Sequence, residues 1–108
     1  MNETQLTKKI RDALLKRGWD SIKFHGNMYS QNGIPDLIVH RGGQVIFMEI
    51  KLPGKKPTTL QKVTIDKIRR YGTPAEVIHS VEEAIAVLET LQVQSLSAMS
   101  STNRDECE

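Results

Sequence analysis

The chain has 108 residues, of which 38% are hydrophobic and 26% are charged, so we expect one globular domain with a thin core. No apolar run approaches the roughly 18 residues of a membrane-spanning helix, and the first residues lack the apolar segment of a secretory signal. The single cysteine, Cys107, cannot form an internal disulfide. These features predict a reducing, cytoplasmic location.

Positive charge is concentrated in the middle of the chain. Residues 1–92 contain 14 basic and 10 acidic side chains, whereas residues 93–108 contain one Arg and three acids. Seven of the basic side chains lie within residues 51–70, together with one acid, Asp66. Such a stretch suits a polyanion such as nucleic acid, but a solvated helix face has the same composition, and both interpretations stay open.

The first predicted elements are a helix and a short strand. Apolar residues recur along residues 3–17 at the spacing of one helix face, and they are Leu6, Ile10, Ala13 and Leu14. Trp19 follows and is interpreted as a packing residue or part of a dimer contact. Ile22 and Phe24 then alternate with polar residues, which predicts a strand with one buried face, before a turn-rich polar loop over residues 26–33.

A hairpin follows this loop. Its apolar runs, residues 37–39 and 45–48, are separated by Arg41-Gly42-Gly43, where glycine can reverse the chain.

Two helices and one more strand complete the ordered part. Thr58 and Gln61 form a capping-box pattern that opens a helix ending at residues 71–72. A strand over residues 75–79 precedes a last helix, which runs from Ser80 to about Leu91.

The predicted element order is therefore α-β-β-β-α-β-α. This order indicates an α/β fold with a mixed central sheet flanked by helices. Residues 1–92 form the predicted domain. Residues 93–108 are polar, rich in serine and aperiodic, and they are interpreted as a disordered tail.

Charged residues stand at the ends of the two most apolar strands. Asp36 begins one strand of the hairpin, and Glu49 nearly ends the other. The turn lies midway between them, so direct pairing would place the two carboxylates about 5–6 Å apart at Cβ. Like charges at that distance repel, and Mg²⁺ held between them would remove the repulsion. Lys51, on the same strand face as Glu49, could then stabilise the anionic transition state of phosphodiester cleavage.

A purely structural interpretation is available for each fragment. Pro-Asp often begins a turn, and Glu-x-Lys on one strand face is often a surface ion pair. Two other residues each allow a structural and a functional interpretation. Glu3 is either a first-turn acid that stabilises the helix dipole or a metal ligand. Gln61 either caps its helix or contacts the catalytic water or scissile phosphate.

Together these residues resemble the PD-(D/E)XK nuclease superfamily, with Pro35-Asp36 as its first half and Glu49-Ile50-Lys51 as its second. More closely, the chain resembles the VRR-NUC family. The supporting stretches are residues 33–39, 47–51, 60–62 and 69–72.

The resemblance implies a restriction-endonuclease-like αβββαβ core followed by a C-terminal helix, and Mg²⁺- or Mn²⁺-dependent phosphodiester hydrolysis. It implies a catalytic role for Lys51 and a supporting role for Gln61. The metal ligands that it implies are Asp36, Glu49, the backbone carbonyl of Ile50 and Glu3. Exonuclease branches often carry a tyrosine four residues after the glutamine, and Ile65 stands there, which favours an endonuclease.

The leading hypothesis from the resemblance is a homodimeric, structure-selective endonuclease of phage or bacterial type that acts on branched DNA such as Holliday junctions. The basic residues predicted to contact DNA phosphates, without base specificity, are Lys55, Lys56, Lys62, Lys67, Arg69 and Arg70. Two alternatives remain: a nicking, flap or duplex endonuclease, and a catalytically inactive nucleic-acid-binding module.

Overall fold

The computed structural model describes the backbone of residues 1–24 and 33–101 and the side chains up to Leu91. Its elements are α1 (Glu3–Lys16), β1 (Asp20–Lys23), β2 (Leu37–Arg41), β3 (Gln44–Ile50), α2 (Thr59–Arg70), β4 (Ala75–Ile78) and α3 (Val81–Ser101). The sheet order is β1-β2-β3-β4, antiparallel from β1 to β3, with β4 parallel to β3. The predicted α/β fold with a mixed sheet is confirmed.

Both α1 and α2 begin at capping boxes. Thr58 and Gln61 form the predicted one, in which each side chain accepts a hydrogen bond from the other residue's backbone N–H. Asn2 and Gln5 form a second at the start of α1. Sequence reasoning placed that helix correctly but overlooked its cap.

Helix α3 continues to Ser101, ten residues beyond the end predicted at Leu91. Residues 92–101 contain neither glycine nor proline, so nothing in them breaks a helix once it has started. The first part of the predicted disordered tail is therefore helical, and residues 102–108 lie outside the described part. The division into a domain over 1–92 and a tail stays a prediction. Among the described residues, no helix is long and apolar enough to cross a membrane.

The inner face of the sheet forms the core against α1 and α3. The buried apolar side chains that meet there are Leu6, Ile10, Leu14, Leu37, Val39, Ile46, Met48, Ile50, Ala84 and Leu88. Trp19 joins this cluster and is 2% exposed. The Arg41 guanidinium carbon lies 4.6 Å from the centre of its ring, a cation–π contact. Trp19 is therefore a packing residue.

The outer face of the sheet is open over β1 and β2 in the described structure, because α2 packs mainly against β4 and reaches β3 through Gln61. Ile22, Ile38 and Phe47 stand in register across β1, β2 and β3 on this side. The predicted buried face of β1 is wrong: Ile22 is 52% exposed and Phe24 40%, while Ser21 is buried. The reason is that α1 and α3 both cover the opposite face.

Candidate active site at the open end of the hairpin

The β2–β3 pairing brings Asp36 and Glu49 together. Leu37 pairs with Met48. Asp36 comes one residue before Leu37 and Glu49 one residue after Met48, so the two acids stand opposite each other, as the position of the turn predicts. Oδ2 of Asp36 accepts a hydrogen bond from the backbone N–H of Ile50 at 3.0 Å. This bond fixes the Asp36 carboxylate against the end of β3.

The turn before Asp36 is packed against α2. Gly33 has φ of +87°, and a Cβ there would lie 2.9 Å from Cγ of Leu60 and from Oγ1 of Thr64. Only glycine fits this conformation and this close approach. Pro35, which is buried, then restricts the backbone that leads into Asp36. The loop predicted over residues 26–33 otherwise lies outside the described residues.

Glu49 is the most unusual side chain of the site, because its carboxylate is only 1% exposed. Its Oε2 accepts a hydrogen bond from Nε2 of Gln61 at 2.9 Å and lies 3.6 Å from Nζ of Lys51. Its Oε1 is buried and has no hydrogen-bond partner in the described structure. A buried, unpaired carboxylate oxygen is energetically unfavourable unless something binds it.

The pKa of Glu49 is raised from 4.5 to about 7, and burial is the largest cause. The negative charge of Asp36 and, to a smaller extent, that of Glu3 contribute to this rise, while Lys51 opposes it. Without a further cation, the Glu49 carboxyl therefore binds a proton near neutral pH. A bound divalent cation would favour the carboxylate form instead.

Gln61 connects Glu49 to the start of α2. Its Oε1 accepts from the backbone N–H of Thr58 at 2.8 Å, while its Nε2 donates to Glu49. The contact with Thr58 uses the amide oxygen, and the contact with Glu49 uses the amide nitrogen. The two contacts therefore agree on one orientation of the Gln61 amide. The capping interpretation of Gln61 therefore agrees with the structure, whereas its contact with the catalytic water or scissile phosphate stays a prediction.

The donor atoms near Glu49 fit a hard divalent cation. The orphaned Oε1 of Glu49 and the Asp36 carboxylate are oxygens, the ligand type that Mg²⁺ and Mn²⁺ prefer. Glu3 is half-buried at the start of α1 and acts on Glu49 through its charge. Among the described residues, however, no three His, Cys, Asp or Glu side chains converge on one point. In this structure Glu3 is not grouped with Asp36 and Glu49, and its role as a metal ligand stays a prediction.

The predicted DNA-contacting residues differ in their surroundings. All six are exposed, and Lys55 and Lys56 lie on the loop between the site and α2. Arg69, in contrast, donates to the carbonyl of Ala75 at 2.7 Å and to Glu76 at 3.1 Å. Asp66 lies 3.7 Å from the same guanidinium. With two carboxylates beside it, Arg69 is less suited to a phosphate than the loop lysines are.

Sequence reasoning missed His79, which follows β4 directly. Its Nε2 lies 3.0 Å from the carbonyl oxygen of Lys55, and its Nδ1 lies 3.5 Å from Oε1 of Glu83. The spacing of four residues between His79 and Glu83 was a usable signal for a helix-start ion pair. No sequence pattern indicates the contact with Lys55, because 24 residues separate the two.

Comparison with known structures identifies the same fold. A "VRR_NUC domain" is 24% identical, with a TM-score of 0.70 over 81% of this chain and 94% of that one. A "VRR_NUC domain protein" is 25% identical, with a TM-score of 0.62 over 82% and 86% of the two chains. Archaeoglobus fulgidus Hjc, a Holliday junction resolvase from an archaeal hyperthermophile, is 20% identical, with a TM-score of 0.58 over 71% and 67%.

Sequence comparison extends this result from fold to family. No curated protein sequence is similar enough to count as a match. The family described as "Archaeal holliday junction resolvase (hjc)" matches residues 3–97, which include every residue of the candidate site. The resemblance to the VRR-NUC and PD-(D/E)XK nucleases is thereby confirmed, and the chain belongs to the archaeal Holliday junction resolvase family.

Proposed function

We propose that this protein is a divalent-metal-dependent endonuclease that hydrolyses phosphodiester bonds in branched DNA and acts as a homodimer. The observation that carries the proposal is the cluster of half-buried Asp36, Lys51 and Gln61 around buried Glu49, whose Oε1 has no partner in the described structure. A purely structural carboxylate would have its oxygens satisfied. This arrangement instead leaves one oxygen for a ligand.

Each side chain of the cluster has a distinct task. Asp36, Glu49 and the carbonyl of Ile50 would hold Mg²⁺ or Mn²⁺, which supplies positive charge to the scissile phosphate and lowers the pKa of a bound water. The ammonium of Lys51, 3.6 Å from Glu49, stabilises negative charge that develops on the phosphate oxygens. Gln61 occupies Oε2 of Glu49 and thereby leaves Oε1 for the cation.

Replacing the lysine tests the proposed site. Lys51→Ala should keep the fold and the affinity for DNA but reduce cleavage of a four-way junction at least about 100-fold. Lys16→Ala, which removes an exposed lysine at the end of α1, is the matched control and should cleave normally. A Lys51→Ala variant that cuts junctions as fast as the parent in Mg²⁺ would contradict the site assignment.

A substrate panel separates this function from its alternatives. A four-way junction, a flap and a linear duplex of the same sequence should be incubated with Mg²⁺, with Mn²⁺ and with EDTA. Preferential, metal-dependent cutting of the junction supports the proposal. Preference for the flap or duplex indicates the other nuclease activity. Binding without cutting, and without heat on titration of Mg²⁺, indicates an inactive binding module.

The proposed dimer interface is the outer apolar face, defined by Ile22, Phe24, Ile38, Phe47, Ile68 and Tyr71. Most of these side chains line an open groove of about 480 Å³ between α2 and the sheet, and Ile22 adjoins Ile38 in register. Among the described residues, Lys67 is the only charged side chain that lines the groove. Near a two-fold axis each residue faces its own copy, so a nearly uncharged face avoids self-repulsion. Pro35, the neighbour of Asp36 in the sequence, also lines the groove. An interface here would therefore fix the distance between the Asp36 side chains of the two copies.

A charge placed on this face tests the dimer. Ile22→Lys adds an ammonium at a position that is 52% exposed, so the fold should survive while the dimer dissociates. Leu15→Lys, at a 62% exposed position on α1, is the matched control and should leave the mass unchanged. Sedimentation of both variants measures the result, and an Ile22→Lys protein that stays dimeric would exclude this interface.

A further inference from the structure

In the described structure, the segment between the site and α2 is held by the packing of its own Leu52 against the core and by a hydrogen bond with one side chain from outside it, His79. We call residues 52–57, which carry Lys55 and Lys56, the basic loop. The backbone N–H of Lys51 donates to the carbonyl of Ile78, so the basic loop leaves the sheet beside the end of β4. His79 follows there, and its Nε2 lies 3.0 Å from the carbonyl oxygen of Lys55. Within the loop itself, the backbone N–H of Lys55 donates to the backbone carbonyl of Leu52.

Both ring nitrogens of His79 face hydrogen-bond acceptors. Nε2 faces the Lys55 carbonyl, and Nδ1 faces the Glu83 carboxylate at 3.5 Å. Glu83 is itself fixed, because it accepts from the backbone N–H of His79 and donates its own N–H to Ser80 Oγ. A neutral imidazole has one N–H, whereas the protonated ring has two. The neutral ring with its N–H on Nε2 and the protonated ring can both donate to the Lys55 carbonyl.

The groups that meet the ring lie on different elements. Glu83 approaches it from α3, and the loop presents the backbone oxygen of Lys55 to it. No further ion pair of His79 occurs among the described residues.

We infer that His79 is a positioning residue for DNA binding, which holds the basic loop so that Lys55 and Lys56 present their ammonium groups to the DNA backbone. The inference rests on the proposed function, because it assumes that these lysines contact phosphates. His79 would act through the loop and make no contact with DNA. Its removal therefore changes affinity only as long as the two lysines are present.

A double-mutant cycle tests this dependence. The full chain is titrated with a fluorescent four-way junction in EDTA, so that DNA is bound but not cut. His79→Ala should weaken binding about threefold to tenfold, the range expected for losing one hydrogen bond. In a chain that also carries Lys55→Ala and Lys56→Ala, it should have no further effect. An equal effect in both backgrounds would overturn the inference.

Two further variants separate positioning from general disturbance. His79→Gln can donate an amide N–H to the Lys55 carbonyl, so it should recover part of the affinity. His40→Ala removes a histidine 4.0 Å from Asp20, toward the other end of β2, and should bind normally. A His79→Gln protein as weak as His79→Ala would count against the contact with Lys55.

A measurement without DNA distinguishes failure of this inference from failure of the proposed function. Trypsin cleavage between Lys55 and Lys56 should be faster in His79→Ala than in the parent, because an unanchored loop opens more often. Equal cleavage rates overturn the positioning role whatever the DNA results are. A parent protein that does not bind the junction, with faster cleavage of His79→Ala, overturns the proposed function and leaves the loop anchor established.

Discussion

The two faces of the sheet are built from alternate residues of the same strands and have different properties. Along β3, Ile46 and Met48 point inward and are fully buried, whereas Val45 and Phe47 point outward and are partly exposed. The inward set packs against α1 and α3. The outward set carries the candidate site and an uncovered apolar groove. Residues for stability and residues for function are thus interleaved along one strand.

Glu49 is the exception that makes the comparison informative. It lies on the outer face by strand alternation, yet it is as buried as the core. Lys51, Gln61 and Asp36 surround it, and they leave one of its oxygens unpaired. The outer face therefore combines a destabilising buried acid with the side chains that suit the proposed reaction.

The largest expected difference between the faces is in cleavage. Asp36→Asn keeps an oxygen that can accept from the N–H of Ile50, so the fold should persist. The loss of the negative charge should weaken cation binding and reduce junction cleavage by about 10³-fold. The measurement is a single-turnover assay in Mg²⁺, with Asp20→Asn at the exposed start of β1 as the control. Near-normal cleavage by Asp36→Asn would place the site elsewhere.

The next largest effect is on folding and concerns adjacent residues of β3. Ile46→Ala, which leaves a cavity in the inner face, should lower the free energy of unfolding by roughly 3–4 kcal/mol. Val45→Ala, at a position that is 36% exposed, should lower it by less than about 1 kcal/mol. Urea unfolding of the two variants measures the difference. Equal losses would show that the outer face is packed as tightly as the core.

The pH dependence of stability isolates Glu49. Its pKa is near 4.5 when exposed and about 7 in the folded protein, so the folded state binds the proton more tightly. The stabilisation is complete below pH 4.5 and is lost as pH rises through 7, a change of roughly 3 kcal/mol at most. Urea unfolding in EDTA should therefore show a less stable protein at pH 8 than at pH 5.

Two comparisons sharpen this expectation. Glu49→Gln should remove most of the pH dependence and raise stability at pH 8 while abolishing cleavage, whereas Glu89→Gln on the exposed side of α3 should do neither. Mg²⁺ should stabilise the parent protein more at pH 8 than at pH 5, because the cation competes with the proton. A parent protein equally stable at both values of pH would mean that Glu49 is not buried as described.

The smallest expected effect separates two roles of Gln61. Gln61→Ala removes both the cap and the contact with Glu49, and it should lower cleavage about tenfold, as is typical for residues that orient a metal ligand. Thr58→Ala removes the side chain that caps the same helix but keeps the Gln61 amide, and it should mainly destabilise the helix, by about 1 kcal/mol. If the two variants cleave equally slowly, Gln61 acts on the site only through the cap.

The sequence predicts the strand pairing and the helix starts because these depend on local patterns. Gly42-Gly43 lies midway between Asp36 and Glu49, so the turn alone aligns the two acids. The pattern of Thr58 and Gln61 likewise determines where α2 begins. For the same reason, the position of Lys51 beside Glu49 follows from strand alternation.

Burial on the outer face could not be predicted in the same way, because it depends on which helix covers which strand. Alternation alone indicates that Ile22 and Phe24 share a face with each other, not that this face is open. The same limitation applies to the orphaned oxygen of Glu49, which results from packing between elements far apart in the chain. The carboxylates beside Arg69 are nearer in sequence, because Asp66 lies three residues before it and Glu76 seven residues after it.

The connection from Thr58 through Gln61 to Glu49 joins the chemistry to the most easily frayed part of a helix. Opening of the first turn of α2 by heat would release the amide and let the buried acid reorient, while the remainder of the sheet stays folded. Activity should consequently decline on warming at temperatures below those at which the protein as a whole unfolds.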